Sequence, residues 1–204
     1  MTVYWDDAKK HLSKKDKVLK EIIKSYQGEM LVKRGDAFYT LARSIVGQQI
    51  SVKAADSVWR RVEMAITPMN AQTTLKTSTE MLRGCGLSAS KAVYMHALAA
   101  YFSEHKAAEK EWDDMDDAAI IKELISIKGI GKWTAEMFMI FHLGRPDIFP
   151  IADIGVQKAM FRHYFNSEKV PLAELTALAE GWRPYRSVAT WYLWRSLDPV
   201  PVAY

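Results

Sequence analysis

Apolar residues in this 204-residue chain recur three or four positions apart almost from end to end, and strict polar–apolar alternation is hard to find. That period belongs to helices burying one face, so the chain is expected to pack helix on helix rather than build a sheet. Leu41, Ile45, Val58, Val62 and Ile66 mark one long amphipathic helix or two in series. Thr77 with Glu80 three residues on resembles a capping box, opening a short helix that Gly84 and Gly86 close. Ser88 can cap the next helix, with Val93, Ala97, Leu98, Tyr101 and Phe102 on one face. Asp113, Asp114, Asp116 and Asp117 crowd the start of another, where carboxylates suit the positive end of the dipole. Its stripe is Ile120, Ile121, Leu124 and Ile127. Further helices are expected near 133–143, 155–165, 172–180 and 185–197, and 68–79 reads as a loop. The fold class is all-α.

Composition narrows the function classes. With 49% hydrophobic and 25% charged residues the chain is ordinary globular material, of a size for one domain or two closely packed lobes. Lys and Arg number 28 against 24 Asp and Glu, a net charge of +4 that is compatible with a polyanion but common among enzymes. A single cysteine, Cys85, excludes an intrachain disulfide framework and a cysteine-rich zinc or iron–sulfur site. The five histidines show no paired metal spacing, so neither a catalytic metal nor a cofactor is expected. The charged first twenty residues lack an apolar signal core, and no run of about 18 apolar residues exists to span a membrane. A cytoplasmic protein is expected. The Lys-rich stretch 9–24 reads as a solvated helix face rather than a nucleic-acid arm.

The most informative stretch is Ile127-Lys128-Gly129-Ile130-Gly131-Lys132-Trp133-Thr134-Ala135. A P-loop would need Ser or Thr after Lys132, where Trp133 stands, and a dinucleotide fingerprint would need a glycine at Thr134 and a preceding strand. What remains is helix, tight Gly-x-Gly turn, helix. Its backbone amides, with the following helix start and Lys128 or Lys132, make a small anion site that suits a DNA phosphate without reading sequence. The other reading of the same residues is a tight helical hairpin with two solvated lysines. A weaker echo, Leu82-Arg83-Gly84-Cys85-Gly86, also sets Gly-x-Gly between helices.

This hairpin resembles that of the helix-hairpin-helix (HhH-GPD) DNA glycosylase superfamily. The resemblance extends to Phe149-Pro150-Ile151-Ala152-Asp153-Ile154-Gly155 about twenty residues on, and to Leu41-Ala42-Arg43-Ser44-Ile45-Val46-Gly47-Gln48-Gln49-Ile50-Ser51. It also takes in Leu82–Ser88 and Trp182-Arg183-Pro184-Tyr185-Arg186-Ser187, so that it covers roughly 37–197. Order and spacing are most similar to the 3-methyladenine DNA glycosylase II branch in a compact form. The resemblance implies two helical lobes, one at 37–150 carrying the hairpin at about 124–143, the other formed by 1–36 with 151–204. It implies an active-site cleft between them, a monomer as the working unit, and double-stranded DNA with alkylated bases as the partner.

The same resemblance assigns roles. Position alone reads Asp153 as a helix N-cap; the family motif makes that capping aspartate also the catalytic one, stabilising an oxocarbenium-like sugar and orienting the attacking water. Strand-nicking relatives carry a Schiff-base lysine where this chain has Trp133, so an enzyme that leaves an intact abasic site is implied. Trp133 and Trp194 would hold the flipped base, with Met137 and Ile154 as neighbours, although aromatics at helical spacing are also ordinary core. Gly129, Gly131, Lys132, Thr134 and Lys128 would grip the backbone. Gln48 and Gln49 lie where relatives push a side chain into the gap left by the base; Gln49 is preferred, and exposed helix glutamines are the other reading. A glycosylase for a different lesion and a non-catalytic DNA-binding module are the rival functions.

Overall fold

The computed structural model describes residues 3–31, 36–105 and 112–197, and every regular element among them is helical. The helices are α1 (Trp5–Lys15), α2 (Lys17–Ser25), α3 (Ala37–Gly47), α4 (Val52–Ala65), α5 (Ala71–Lys76), α6 (Thr79–Gly84), α7 (Ala89–Glu104), α8 (Asp117–Ser126) and α9 (Lys132–Phe138). A π-helical turn, Met139–Leu143, continues from α9, and α10 (Ile154–Tyr164), α11 (Leu172–Glu180) and α12 (Arg186–Arg195) complete the order. The chain forms two compact units, Met1–Lys33 with Met139–Ala203, and Arg34–Phe138.

In the unit of residues 34–138, α3 packs on α4, α7 and α9, while α7 also receives α5 and α6. Leu41, Ile45, Trp59, Val62, Leu82, Met95, Leu98, Ile120 and Leu124 are buried. The sequence signals its helix starts through small polar caps. Asp36, Ser51, Asn70, Ser78, Ser88 and Asp116 each accept the amide three residues on, satisfying a donor the helix ladder leaves over.

Several expectations are corrected here. The stretch 68–79 contains α5, because Asn70 caps it and Thr74 folds its hydroxyl back onto the Asn70 carbonyl. The cap of α6 is Ser78 and not Thr77, whose hydroxyl instead donates to the Thr73 carbonyl and is buried. Three neighbouring helices rotate the buried face of α7 to Ala92, Met95, Leu98 and Ala99, leaving Val93 exposed. The two Gly-x-Gly stretches are not equivalent turns: the left-handed residue is the second glycine of one, Gly86, and the first of the other, Gly129.

In the other unit α1, α2 and α10 pack around α12, and α1 also packs on α2, with Leu12, Leu19, Val156, Met160, Trp182 and Tyr192 buried. The Lys-rich 9–24 stretch is two helices broken at Asp16. That residue caps α2 through Oδ1, and its Oδ2 accepts from Trp182 Nε1 at 2.8 Å and Tyr164 Oη at 2.9 Å. Burial, together with the Asp16 charge, pushes the Tyr164 phenol far up from its ordinary value. Residues 139–150 group with this unit rather than with the central lobe. Ile148 N–H donates to the buried Ser187 Oγ, Ser187 N–H donates to the Pro146 carbonyl, and the Arg186 guanidinium clamps Asp147.

Candidate active site

Two groups of candidate residues occur, one in each unit. The first is centred on Asp153. The turn Pro150–Ala152 is closed by the Asp153 amide donating to the Pro150 carbonyl, and the extended Asp153 then caps α10. Its Oδ1 accepts two bonds of 2.8 Å, one from the Val156 amide and one from the indole Nε1 of Trp194 on α12. Both residues are 6% exposed. A buried carboxylate is costly unless hydrogen bonds hold it, and these two donors fix its orientation as well. The Trp194 ring lies stacked against Phe141, centroids 5.8 Å apart and planes 13° from parallel. Trp194 therefore positions Asp153, a task no spacing rule assigned to it.

Gly155 supplies the space this arrangement needs. A Cβ there would lie 3.0 Å from Asp153 Oδ1 and 3.2 Å from Trp194 Cδ1, tighter than ordinary van der Waals contact. The sequence signal for this role is only a small residue two positions after a capping acid. Ile154 beside it is largely exposed.

The second group surrounds the hairpin. Ile127 ends α8 and Gly129 turns the chain with φ +96. A Cβ on Gly129 would fall 2.2 Å from Tyr94 Cγ, so both the backbone conformation and the ring beneath demand glycine. Ile130 is buried, Gly131 has open space where a side chain would be, and the ladder of α9 begins with the Ala135 amide on the Gly131 carbonyl. Lys128 and Lys132 are exposed on either side of the turn, the latter 3.8 Å from the buried Glu136 carboxylate. Trp133 is half-buried, and Met137 is fully buried.

Gln48 and Thr134, both expected from sequence at the DNA, meet each other at the hairpin. Gln48 Nε2 donates to the Gly129 carbonyl at 2.9 Å and lies 3.4 Å from the buried Thr134 hydroxyl. The end of α3 is thereby strapped to the hairpin. Lys91, absent from the sequence candidates, secures the same corner: its ammonium donates to the Val46 and Gln48 carbonyls, each at 2.7 Å. Two carbonyls at a helix C-terminus are a natural seat for a cation, although burial holds the Lys91 pKa below its usual value. Gln49 follows in a left-handed conformation, φ 57, and is exposed together with Ile50. Neither the exposure of Ile50 nor the left-handed turn at Gln49 has a signal in the sequence.

Among the described residues, no cluster of His, Cys, Asp and Glu could hold a metal ion, and no helix is long and apolar enough to cross a membrane. Residues 42–184, spanning the Gln48–Gln49 turn, the hairpin and Asp153, match the HhH-GPD superfamily of base excision DNA repair proteins. The chain belongs to that superfamily. A DNA-3-methyladenine glycosidase from Bacillus halodurans, known from a crystal structure, is similar over 91% of this chain and 86% of its own, with 32% identity and a TM-score of 0.81. The Schizosaccharomyces pombe 3-methyladenine DNA glycosylase Mag1, solved in complex with abasic DNA, is 26% identical over 97% of this chain and all of its own, with a TM-score of 0.83. DNA-3-methyladenine glycosylase 1 of the same yeast aligns at 29% identity over 91% of this chain and 85% of its own length. The all-helical fold is thus that of the HhH-GPD glycosylases, and the Asp153 group and the hairpin are its two candidate functional regions.

Proposed function

We propose that this HhH-GPD protein is a monofunctional DNA glycosylase of base excision repair. It acts as a monomer on double-stranded DNA, hydrolysing the N-glycosidic bond of alkylated purines, 3-methyladenine and 7-methylguanine foremost, and leaving an abasic site. Relatives named as 3-methyladenine glycosylases that align over nine-tenths of the chain support the reaction class. The observation that carries the chemistry is the doubly held Asp153 carboxylate. Cleavage of a deoxynucleoside bond builds positive charge on the sugar, and a fixed carboxylate stabilises that charge without having to reorganise. The same group accepts a proton from, or orients, the attacking water.

The remaining residues divide the physical tasks. Gly129 and Gly131 present hairpin amides to a backbone phosphate, with Lys128 and Lys132 adding charge. Gln49 enters the space the flipped base leaves, with the apolar Ile50 beside it. Thr134 and Gln48 brace the hairpin. An alkylated purine is electron-poor or cationic, so an indole face attracts it, and stacking is worth roughly 1–3 kcal/mol per base. Trp133 and Trp194 are the indoles assigned to it. Trp133 offers no amine for a Schiff base, so the strand stays intact.

The test is to incubate the protein with methylated duplex DNA and separate the released bases by chromatography. Free 3-methyladenine or 7-methylguanine, with strands that break only after alkali, is the expected result. Release of neither base, or nicking without alkali, would overturn the reading.

A further inference from the structure

Within the unit of residues 34–138, a groove of about 730 Å³ runs along α4, lined by Lys53, Asp56, Ser57, Arg60 and Arg61. Its single carboxylate is already answered: Asp56 Oδ1 lies 2.8 Å from the Arg43 guanidinium of α3. Three cations remain beyond that pair. Lys53 and Arg60 are exposed. Arg61 is held in place, its Nε donating to the Cys85 carbonyl at 2.8 Å and its Nη1 to Ser57 Oγ at 2.9 Å. Gly86, left-handed at φ +100, makes room for it, since a Cβ there would come within 2.9 Å of Arg61 Nη2. A guanidinium pinned on two edges is a preset anion donor, with less side-chain entropy left to lose on binding.

The groove is open and its walls are charged, which suits a polyanion strand and not an apolar small molecule. Seven residues separate Lys53 from Arg60, roughly 10 Å of helix, which matches about three nucleotides of one strand along a duplex axis. Lys53 also stands only four residues after Gln49, and α4 rises directly from that turn through its Ser51 cap.

The geometry points to a second DNA-backbone site: the α4 groove takes the phosphodiester backbone flanking the lesion, with Lys53 and Arg60 neutralising phosphates beside the preset Arg61. This site rests on the glycosylase reading but is separate from the hairpin and from Asp153. It enlarges the footprint on DNA without entering the bond-breaking step, so it acts on affinity and its salt dependence.

The experiment measures affinity of the full chain for a duplex carrying an abasic site across a series of salt concentrations. It compares the parent, Lys53→Ser/Arg60→Ser, and a control removing the exposed Lys14 and Lys15 of α1 (Lys14→Ser/Lys15→Ser). The groove variant is expected to flatten the slope of log affinity against log salt by about 1.8, two phosphate contacts at about 0.9 each, while the control leaves it within error of the parent. Base release at saturating enzyme stays at the parent rate in both. A groove variant whose slope equals the parent's, or that flattens no more than the control, overturns the second site and leaves the glycosylase reading standing. A parent that shows no salt-dependent DNA affinity overturns both.

Discussion

The hairpin and the Asp153 turn are both short connections into a helix, yet they are built from opposite materials. At the hairpin the side chains withdraw. Gly129 has none, Thr134 is buried, and Gln48 spends its carboxamide on the Gly129 carbonyl, so that what the turn offers is backbone and two flanking lysines. At the Asp153 turn it is the backbone that retires into the α10 cap, and what is presented is a carboxylate aimed by an indole. Glycine serves each differently. Gly129 is needed for its left-handed φ and for Tyr94 beneath it, whereas Gly155 has ordinary backbone angles and is needed for the carboxylate beside it. The contrast teaches that gripping a uniform backbone requires rigid main chain, while charge stabilisation requires one side chain held in one place.

Damage to the hairpin should therefore appear in stability and DNA affinity, and damage around Asp153 in the rate at saturation. The largest effect on stability is expected from Gly129→Ala. A forced left-handed alanine costs about 1–2 kcal/mol, and overpacking against Tyr94 adds about 1–3 kcal/mol, so thermal or urea unfolding should show a loss of about 3 kcal/mol. A melting curve like the parent's would break the account of this turn. Trp194→Phe comes next. It keeps a ring to stack on Phe141 but removes the donor to Asp153, a charge-assisted bond worth about 1.5–3 kcal/mol, so single-turnover release should slow by about 10- to 100-fold with DNA affinity nearly held. A loss confined to affinity would collapse the comparison.

Gln48→Ala should be milder and of the opposite kind. Losing its bond to the Gly129 carbonyl costs about 1 kcal/mol, read as weaker binding to duplex DNA with the saturated rate unchanged. The smallest effect sharpens the picture of α10. His163, in its last turn, has its pKa lowered from 6.5 by burial and by Arg162, and its Nε2 meets Ser196 Oγ at 2.8 Å. A base whose folded pKa is depressed contributes stability that is fully present above 6.5 and lost as pH falls through the folded value. Melting temperature should thus decline on acidification below that point, and His163→Gln should flatten the decline; an equal decline in both proteins would remove His163 from the account.

Much of this was legible in the sequence because helix starts announce themselves locally. Ser88 and Asp153 cap where their spacing to the next apolar stripe says they should, and Asp116 caps from within the acidic cluster expected at its helix start. The misreadings arise where a polar side chain has two available uses. Thr77 could cap forward or bond backward; it ends α5, and there its buried hydroxyl takes the backward bond to the Thr73 carbonyl. The contact between Gln48 and Thr134 is likewise hidden from the sequence, because nothing in their spacing shows that α3 ends beside the hairpin. Lys91 is invisible for the same reason, since its carbonyl partners lie more than forty positions away. The cap-plus-indole arrangement of Asp153 is also not a signature by itself. Asp16 caps α2 and accepts from Trp182, yet it adds a tyrosine and knits its own unit together. Family membership, and the glycine packed against the carboxylate at position 155, distinguish the two.

In the proposed mechanism the Asp153 charge drives bond cleavage while its hydrogen bonds only hold it. Asp153→Asn separates the two, because an amide oxygen can still accept from the Val156 amide and the Trp194 indole. Single-turnover release of 3-methyladenine from duplex DNA should fall by about 10²–10⁴-fold, with the melting temperature and affinity for damaged DNA close to the parent's. A variant that folds, binds and releases base at the parent rate would contradict the account.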